Sequence, residues 1–381
     1  MALSWPRGVQ SAGVAAGIKK EGALDLGVIA VDGPAAWAGT FTKNAAAAAS
    51  VHWSRSLRGR PVRAITVNSG NANACTGEAG VAAVRATAEA TATTLGCASA
   101  EVLVASTGPI GMQLPVDNLV AAIPAATAAL GQDTASFAQS ILTTDTITKT
   151  ARTNGSGFEI VGVAKGAAML APNMATMLAF IATDADLEAE FLQQSLSRSV
   201  ARSFDRVSVD ACESTNDSVF LLSSGVSRVD DVRAFEAALE RLCRDLAEQM
   251  VKDAEGGSRL VRIEVAGAAD ESTGVALARG VAASALWRAA VHGADPNWGR
   301  VLAAMGAVQR DLDLSKVDVA IGSHLVFASG APAGSLTAAR AEMVGDELTV
   351  RIRVGSGDTS VQVLTTDLSP DYVTLNATGT S

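Results

Sequence analysis

Short apolar runs alternate with amphipathic stretches along the chain, and this alternation predicts a mixture of strands and helices. In the first third, β-branched runs bounded by turn residues predict buried strands at residues 26–31, 63–68 and 102–106. The Ala-rich stretch at 78–95 has helical spacing and stops at Gly96, a residue type that commonly ends helices. Strand and helix therefore alternate from the start of the chain.

The same patterns continue to the carboxyl end. Helices are predicted at 117–130, 134–142, 186–204 with Asp186 as its cap, 231–253 and 274–291, with a short one after Asn297. Strands are predicted at 158–164, 177–182, 218–223, 260–265, 317–321, 324–328, 347–354 and 360–365. Residues 355–358 predict a hairpin turn that joins the last two strands.

The order of these elements predicts the α/β (α+β) class, with helices layered on mixed β-sheets. It is too irregular for a barrel, and no internal repeat or low-complexity linker divides the chain. The length of 381 residues fits two domains or one large layered domain. The hydrophobic 48% consists mostly of Ala and Val, and such small side chains favour tight layers of helix on sheet.

Charge and cysteine usage argue against several classes of protein. Thirty Lys and Arg against 39 Asp and Glu give a net charge of −9 with no basic block, which argues against a nucleic-acid partner. We expect no membrane span, because no apolar stretch approaches ~18–20 residues. We expect no signal peptide, because the apolar run at residues 13–18 is too short and precedes Lys19-Lys20 instead of following a basic segment. The four cysteines form no C-x-x-C pair and the three histidines lack metal-ligand spacing. We therefore expect reduced thiols, a cytoplasmic setting and no metal site.

Four polar segments carry more turn residues and hydroxyl groups than plain loops require, at residues 68–77, 106–111, 165–180 and 376–381. The first, with three Asn and two Gly, predicts braced turns directly after a strand. In the second, the Thr107 hydroxyl and the Gly108 N–H can point the same way, as an oxyanion site requires. Taken alone, each segment is more typical of a purely structural turn.

The third segment places Thr176 at a strand entry, just after the turn-forming pair Pro172-Asn173. Threonine at such a position is ordinarily just a β-branched strand residue. Held in a strained turn, its hydroxyl can instead attack the carbonyl of Ala175 and exchange the amide for an ester, whose hydrolysis leaves Thr176 as a new N-terminus. The freed α-amine, with an ordinary pKa of ~7.7–8, can then act as base for the same hydroxyl. The residues alone leave both interpretations open.

This third segment resembles the self-cleavage motif of the ornithine acetyltransferase family, the bifunctional glutamate N-acetyltransferase/N-acetylornithine acetyltransferases of arginine biosynthesis. The matching residues are Lys165-Gly166, Met169-Leu170-Ala171-Pro172-Asn173-Met174-Ala175-Thr176-Met177-Leu178 and Thr183-Asp184-Ala185. Further family motifs follow in order at residues 68–77, 106–108, 143–146, 253–256, 295–300 and 376–381. The resemblance therefore spans nearly the whole chain.

The resemblance implies a self-processing enzyme whose fold is similar to that of the N-terminal-nucleophile aminopeptidases. Cleavage between Ala175 and Thr176 would give an α chain of residues 1–175, bearing the oxyanion hole, and a β chain of residues 176–381. Thr176 would be the nucleophile, with Thr107 and Gly108 forming the oxyanion hole. The family's amino-acid site carries over to Thr146, Lys165, Thr176, Glu255, Asn376 and Ser381.

The implied reaction is acetyl transfer from N-acetylornithine to glutamate through an acetyl-Thr176 ester. The resemblance implies no cofactor and no metal, and it leaves open whether acetyl-CoA is an additional donor. It also implies that the two chains come from one precursor and assemble into a larger oligomer.

The chain departs from the family pattern at Ala168, in Asp210-Ala211-Cys212-Glu213, at Gly379 and at residues 45–49. None of these positions carries the nucleophile or the oxyanion hole, but together they leave the acceptor open. One alternative is a paralogue that acts on another N-acetyl amino acid. Others are an N-terminal-threonine amidohydrolase or aminopeptidase, which delivers the acyl group to water, and an uncleaved amino-acid-binding protein.

Overall fold

A computed structural model describes residues 3–20, 22–169 and 177–378, and it confirms the α/β (α+β) class with helices layered on mixed sheets. The strands of the first sheet are β1 (Val9–Val14), β2 (Leu26–Phe41), β3 (Val62–Ser69), β4 (Val102–Thr107), β5 (Lys149–Gly155), β6 (Phe158–Lys165), β7 (Leu178–Asp186) and β8 (Ser218–Arg228). They lie in the order β4-β3-β2-β8-β7-β6-β5, and β1 pairs with β2.

The long strand β2 joins two halves of this sheet that face each other. Its register with β3 is irregular between Ala30 and Ala35. Residues up to Ala35 pair with β3, and residues 36–41 pair with β8. Side chains from the two halves share one core, in which Ile65 of β3 lies in the same cluster as Phe180 of β7 and Phe220 of β8. The Phe180 and Phe220 rings stack with centroids 5.6 Å apart.

Helices cover the outer faces of both halves. They are α2 (Gly77–Leu95) and α3 (Val116–Ala128) on one half and α5 (Ala189–Ala201) and α6 (Val232–Lys252) on the other. Helices α1 (Ala49–Ser56) and α4 (Ala135–Ser140) instead contribute Val51 and Phe137 to the core between the halves. Side chains of β7 alternate between two cores. Ala179 and Ile181 pack in the core that includes residues of α5 and α6, whereas Phe180 packs in the core between the halves. Asp231 caps α6 by accepting the N–H groups of Arg233 and Ala234.

The second sheet is formed by the carboxyl-terminal part of the chain. Its strands are β9 (Leu260–Ala268), β10 (Asp318–Ile321), β11 (His324–Ala328), β12 (Ala331–Pro332), β13 (Glu347–Arg353) and β14 (Thr359–Thr366), in the order β12-β11-β10-β13-β9-β14. The helices of this part are α7 (Glu271–Ala282), α8 (Ala285–His292), α9 (Trp298–Val308), α10 (Leu336–Glu342) and the final α11 (Pro370–Thr378). Among the described helices, none is long and apolar enough to cross a bilayer.

Two predictions about connections are wrong. The helix expected at 274–291 is two helices, because Ser284 interrupts it and caps α8 by accepting the N–H of Trp287. Residues 355–358 do not form a hairpin, since β9 lies between β13 and β14 and pairs with both. A Cβ on Gly267 would lie 2.3 Å from the carbonyl oxygen of Gly355, so the connection passes close over β9.

The ends of two elements also differ from expectation. Asp186 is the last residue of β7 and does not cap α5; Glu188 precedes that helix without a side-chain cap. No element was predicted after the strand at 360–365, but Pro370–Thr378 form α11, an exposed helix whose sequence has little amphipathic pattern.

Candidate active site

The carboxyl ends of β4 and β6 meet beside the beginning of β7. Lys165, the last residue of β6, pairs across the sheet with Leu178, the first residue of β7. The side-chain nitrogen of Lys165 lies 3.3 Å from the hydroxyl oxygen of Thr107, the last residue of β4. Two predicted site residues that are 58 positions apart in sequence are thus in direct contact.

A cavity of about 250 Å³ opens at this edge. Five of the predicted site residues line it: Thr107, Gly108, Lys165, Glu255 and Asn376. Other polar lining residues, to which the sequence analysis assigned no role in the site, include Thr143, Asp210, Cys212, Asn216 and Tyr372. Both cationic and anionic groups therefore face one small volume, as binding of a zwitterionic amino acid requires.

The turn after β4 holds Thr107 and Gly108 at the cavity wall. Gly108 has a φ of +140°, and a Cβ there would lie 2.4 Å from the backbone nitrogen of Asn71, so this close approach requires glycine. The Asn71 N–H donates to the Thr107 carbonyl at 3.0 Å. The Asn216 side chain donates to the Ser106 carbonyl at 2.8 Å and to the Asn-rich turn at 2.7 Å. The two segments predicted to be braced turns therefore form one hydrogen-bonded corner.

Lys165 is only 2% exposed and is surrounded by oxygen atoms. Besides Thr107, it donates to the Thr143 hydroxyl at 2.7 Å, and it lies 3.8 Å from a carboxylate oxygen of Asp145. Burial lowers the pKa of Lys165, and the charge of Asp145 opposes that shift. Burial alone would raise the pKa of Asp145, but the charges of Lys165 and Lys149 outweigh it and lower that pKa to about 2.

A second buried lysine links this ion pair to Thr146. The Lys149 nitrogen lies 2.6 Å from Asp145 and 2.5 Å from Asp253. Asp253 in turn accepts the backbone N–H of Thr146 at 3.0 Å and also its hydroxyl. Thr146 lines a neighbouring cavity of about 460 Å³, which shares Glu255 and Asn376 with the first cavity. Thr146 is therefore adjacent to the first cavity and not part of its wall.

Helix α11 brings the carboxyl-terminal end of the chain against the turn after α6. The Asn376 amide donates to one carboxylate oxygen of Glu255 at 3.0 Å. The other oxygen, Oε1, is buried and has no hydrogen-bond partner within residues 3–20, 22–169 and 177–378. Gly256 permits this packing, because a Cβ there would lie 2.3 Å from the backbone nitrogen of Tyr372. Glu255 thus keeps one acceptor available beside the cavity.

The predicted nucleophile and cleavage position, Thr176 and Ala175, lie outside the described residues, as does Ser381. The residues that flank the third segment are described. Met169 lines the cavity, and Met177 is buried directly before β7. The described part of the chain therefore resumes at the edge of the sheet, one residue after the predicted nucleophile.

Several residues that shape the site were not predicted from the sequence. Asp145 lies within the segment 143–146, and Asn216 and Asp217 lie within a Ser-Thr-Asn-Asp run, so polar motifs at strand ends were the available signal. Their importance comes from burial and from long-range contacts, neither of which the local pattern reveals. Among the described residues, no group of three or more His, Cys, Asp or Glu side chains is arranged to hold a metal ion.

Comparison with known proteins identifies close relatives. The ArgJ family model matches residues 10–381. The chain is 42% identical over 381 residues to the arginine biosynthesis bifunctional protein ArgJ of Thermobifida fusca, and the alignment covers 99% of both chains. It is 40% identical over 379 residues to the protein of the same name from Thermus thermophilus, again with 99% of both covered. A crystal structure of the arginine biosynthesis bifunctional protein argJ from Bacillus halodurans is 32% identical, covering 51% of this chain and 95% of that chain with a TM-score of 0.49.

Proposed function

The chain belongs to the ArgJ family, and we propose that it moves an acetyl group from N-acetylornithine to glutamate through a threonine ester. Its relatives are named arginine biosynthesis bifunctional proteins and align with nearly the whole chain. The observation that carries the proposal is the contact between Lys165 and Thr107 at the sheet edge where the chain leads from residue 176 into β7. This contact supports the proposal, because it brings a cationic group and the proposed oxyanion donor next to the start of β7.

The first proposed step is self-cleavage. The Thr176 hydroxyl attacks the carbonyl carbon of Ala175, the C–N bond breaks, and the hydroxyl proton passes to the nitrogen, which becomes the α-amine of Thr176. Water then hydrolyses the resulting ester, leaving the Ala175 carboxylate and a free Thr176. Residues 1–175 become the α chain and residues 176–381 the β chain. Pairing of β6 with β7 would hold the two chains together.

Acetyl transfer uses the same hydroxyl twice. Thr176 attacks the acetyl carbonyl of N-acetylornithine, with its own α-amine as the base, and Thr107 and Gly108 donate hydrogen bonds to the oxyanion. The C–N bond breaks, ornithine leaves as a free amine carrying the proton, and the acetyl group stays as an ester. The glutamate amine then attacks this ester, a proton returns to the Thr176 oxygen, and N-acetylglutamate leaves.

The charges around the cavity support an amino-acid substrate with groups of both signs. Lys165 supplies the cation for a carboxylate, and the unpaired Oε1 of Glu255 supplies an acceptor for the side-chain ammonium of ornithine. In this proposal Asn376 and Ser381 add amide and hydroxyl contacts around the substrate, and Thr146 acts from the neighbouring cavity that shares Glu255 and Asn376.

The remaining assignments follow the family resemblance. No cofactor takes part, because Thr176 itself carries the acetyl group, and acetyl-CoA as a second donor would load the same hydroxyl. The αβ pairs assemble further, and neither a nucleic acid nor a membrane is a partner. A cytoplasmic location agrees with the free thiols of Cys75, Cys97, Cys212 and Cys243.

Cleavage is tested by intact mass under denaturing conditions, followed by N-terminal sequencing. The wild type should give two chains, one of which begins at Thr176. Thr176→Ala should remain one chain, because no hydroxyl is left to attack, and Thr176→Ser should cleave more slowly. A wild-type protein with only its original N-terminus would overturn the proposal.

Transfer is distinguished from hydrolysis by omitting the acceptor. Mature enzyme mixed with N-acetylornithine alone should release about one equivalent of ornithine per site and then stop, as a ping-pong enzyme with a stable ester does. Adding glutamate should restart turnover. Continuous ornithine release without glutamate would instead favour the amidohydrolase alternative.

A further inference from the structure

Asp217 is a buried carboxylate that neither the family resemblance nor the proposed mechanism uses. It lies directly before β8 and its side chain is fully buried. Its Oδ1 accepts the backbone N–H of Met177 at 2.9 Å. Its Oδ2 is buried and has no hydrogen-bond partner in the described part of the chain. Burying a carboxyl group with one oxygen lacking a hydrogen bond costs free energy of folding, so this position calls for an explanation.

The Met177 N–H belongs to the peptide group that joins residue 176 to residue 177. On its other side, the Met177 carbonyl accepts the N–H of Ser218 at 3.2 Å. Asp217 and Ser218 therefore hold Met177 by both of its backbone groups. The Asp217 backbone is itself fixed, because its carbonyl accepts the N–H of Thr42 at 2.9 Å.

We propose that Asp217 is a positioning residue for the nucleophile, which it aligns through the amide of Met177 for both self-cleavage and acetyl transfer. This inference rests on the proposed function of Thr176. Cleavage requires the Thr176 hydroxyl to approach the Ala175 carbonyl, and rotation of the peptide that follows Thr176 would move that hydroxyl. Misplacement of a reacting group by about 1 Å can cost ~10²-fold in rate.

The neutral carboxyl group is sufficient for this role. Burial raises the pKa of Asp217 well above its ordinary range, against the opposing effects of the Met177 N–H, the Ser214 hydroxyl and the Lys165 charge; Asp205 adds to the rise. The ammonium of Lys165 forms its ion pair with Asp145, whose carboxylate oxygen lies 3.8 Å away, and not with Asp217.

Asparagine therefore mimics the working form, and leucine of similar size removes the acceptor. Asp217→Asn should cleave and transfer close to the wild-type rate. Asp217→Leu should slow cleavage about 10²-fold and lower kcat with little change in KM, because it misaligns the nucleophile and leaves the substrate groups in place.

Asp184 offers a matched control on the neighbouring strand β7. Its side chain is also buried and accepts the Glu159 N–H at 2.8 Å and the Ser227 hydroxyl at 2.7 Å. It lies seven residues beyond Met177, roughly 23 Å along the strand. Asp184→Leu should therefore lower the melting temperature without slowing cleavage of the folded protein.

Three results would overturn the proposal: wild-type rates in Asp217→Leu, equal losses in Asp217→Asn and Asp217→Leu, or equally slow cleavage in Asp184→Leu. If the wild type itself does not cleave, the proposed function fails. Hydrogen exchange of the Met177 amide then tests Asp217 separately. Asp217→Leu should exchange roughly ten-fold faster, as expected for one lost hydrogen bond, and Asp217→Asn should not. Equal exchange in both would reject the contact.

Discussion

The ammonium group of Lys165 lies 3.3 Å from the hydroxyl oxygen of Thr107, and both side chains are buried. An ammonium group can only donate, so the Thr107 oxygen must accept this hydrogen bond. The hydroxyl hydrogen of Thr107 is then free to point elsewhere. Besides supplying a positive charge, Lys165 therefore orients the Thr107 hydroxyl so that its hydrogen can be donated to an oxyanion in the cavity.

Replacing Thr107 with alanine removes that donor. We expect kcat to fall by ~10²–10³-fold with a smaller change in KM, the usual cost of one lost oxyanion donor. Thr107→Ser keeps the hydroxyl and the Lys165 contact and should retain most of the activity. The measurement is steady-state acetyl transfer with the two variants side by side. An unchanged kcat in Thr107→Ala would mean that Thr107 serves only the turn after β4.

The buried pair of Lys165 and Asp145 predicts a pH-dependent loss of stability. Asp145→Asn should cost ~3–5 kcal/mol at pH 7, because it leaves buried lysines short of a counter-charge. The pKa of Asp145 is about 2 in the folded chain, below its ordinary value near ~3.9. The contribution of the Asp145 charge to the free energy of unfolding is therefore complete above about pH 4 and is lost as the pH falls toward 2.

The difference between wild type and Asp145→Asn should accordingly be largest at neutral pH and shrink in acid. Urea unfolding at several pH values, in a Thr176→Ala background that keeps one chain, measures it. Asp230→Asn is the control, because Asp230 is a surface residue whose carboxylate is 81% exposed and pairs with the even more exposed Arg228. A difference between wild type and Asp145→Asn that stays constant from pH 7 to pH 2.5 would contradict the ion-pair explanation.

The sequence predicted the strands and helices well where the apolar pattern was strong. Strands β3 and β4 were located within one or two residues, because their β-branched runs are buried on both faces. The connection at 355–358 was mistaken, because strand order depends on long-range pairing with β9, which local patterns do not encode. Helix α11 was missed because its exposed sequence has little periodicity.

In the site, too, residues within sequence motifs were predicted, and residues that matter through long-range contacts were not. Thr107, Lys165 and Glu255 were identified through family motifs, and the fold brings them to one cavity. Asp145 and Asp217 were not identified, since an Asp next to Thr or Asn is usually a turn residue. Only the burial of both side chains distinguishes them, and burial follows from tertiary packing.

Oε1 of Glu255 has no hydrogen-bond partner among the described residues, so we expect substrate affinity to fall when the Glu255 charge is removed. Glu255→Gln keeps an acceptor for the Asn376 amide but loses the negative charge, so KM for N-acetylornithine should rise roughly ten- to hundred-fold, the worth of a charge-assisted hydrogen bond. Self-cleavage should continue, because it needs no substrate. Parallel measurement of KM and of precursor processing separates the two effects. Slower processing in this variant would indicate that Glu255 supports the fold of the site instead.

The end of the chain gives the last prediction. A terminal pair of residues is usually dispensable, but α11 places Asn376 against Glu255 only a few residues before Thr380 and Ser381. Deleting Thr380-Ser381 should leave cleavage intact and lower kcat/KM for N-acetylornithine. The decrease should be modest, because Gly379 stands where the family has an aromatic residue. Asn376→Ala, which also removes the contact to Glu255, should lower it further. Wild-type transfer rates in the truncated protein, measured with N-acetylornithine well below KM, would show that Ser381 contributes no substrate contact.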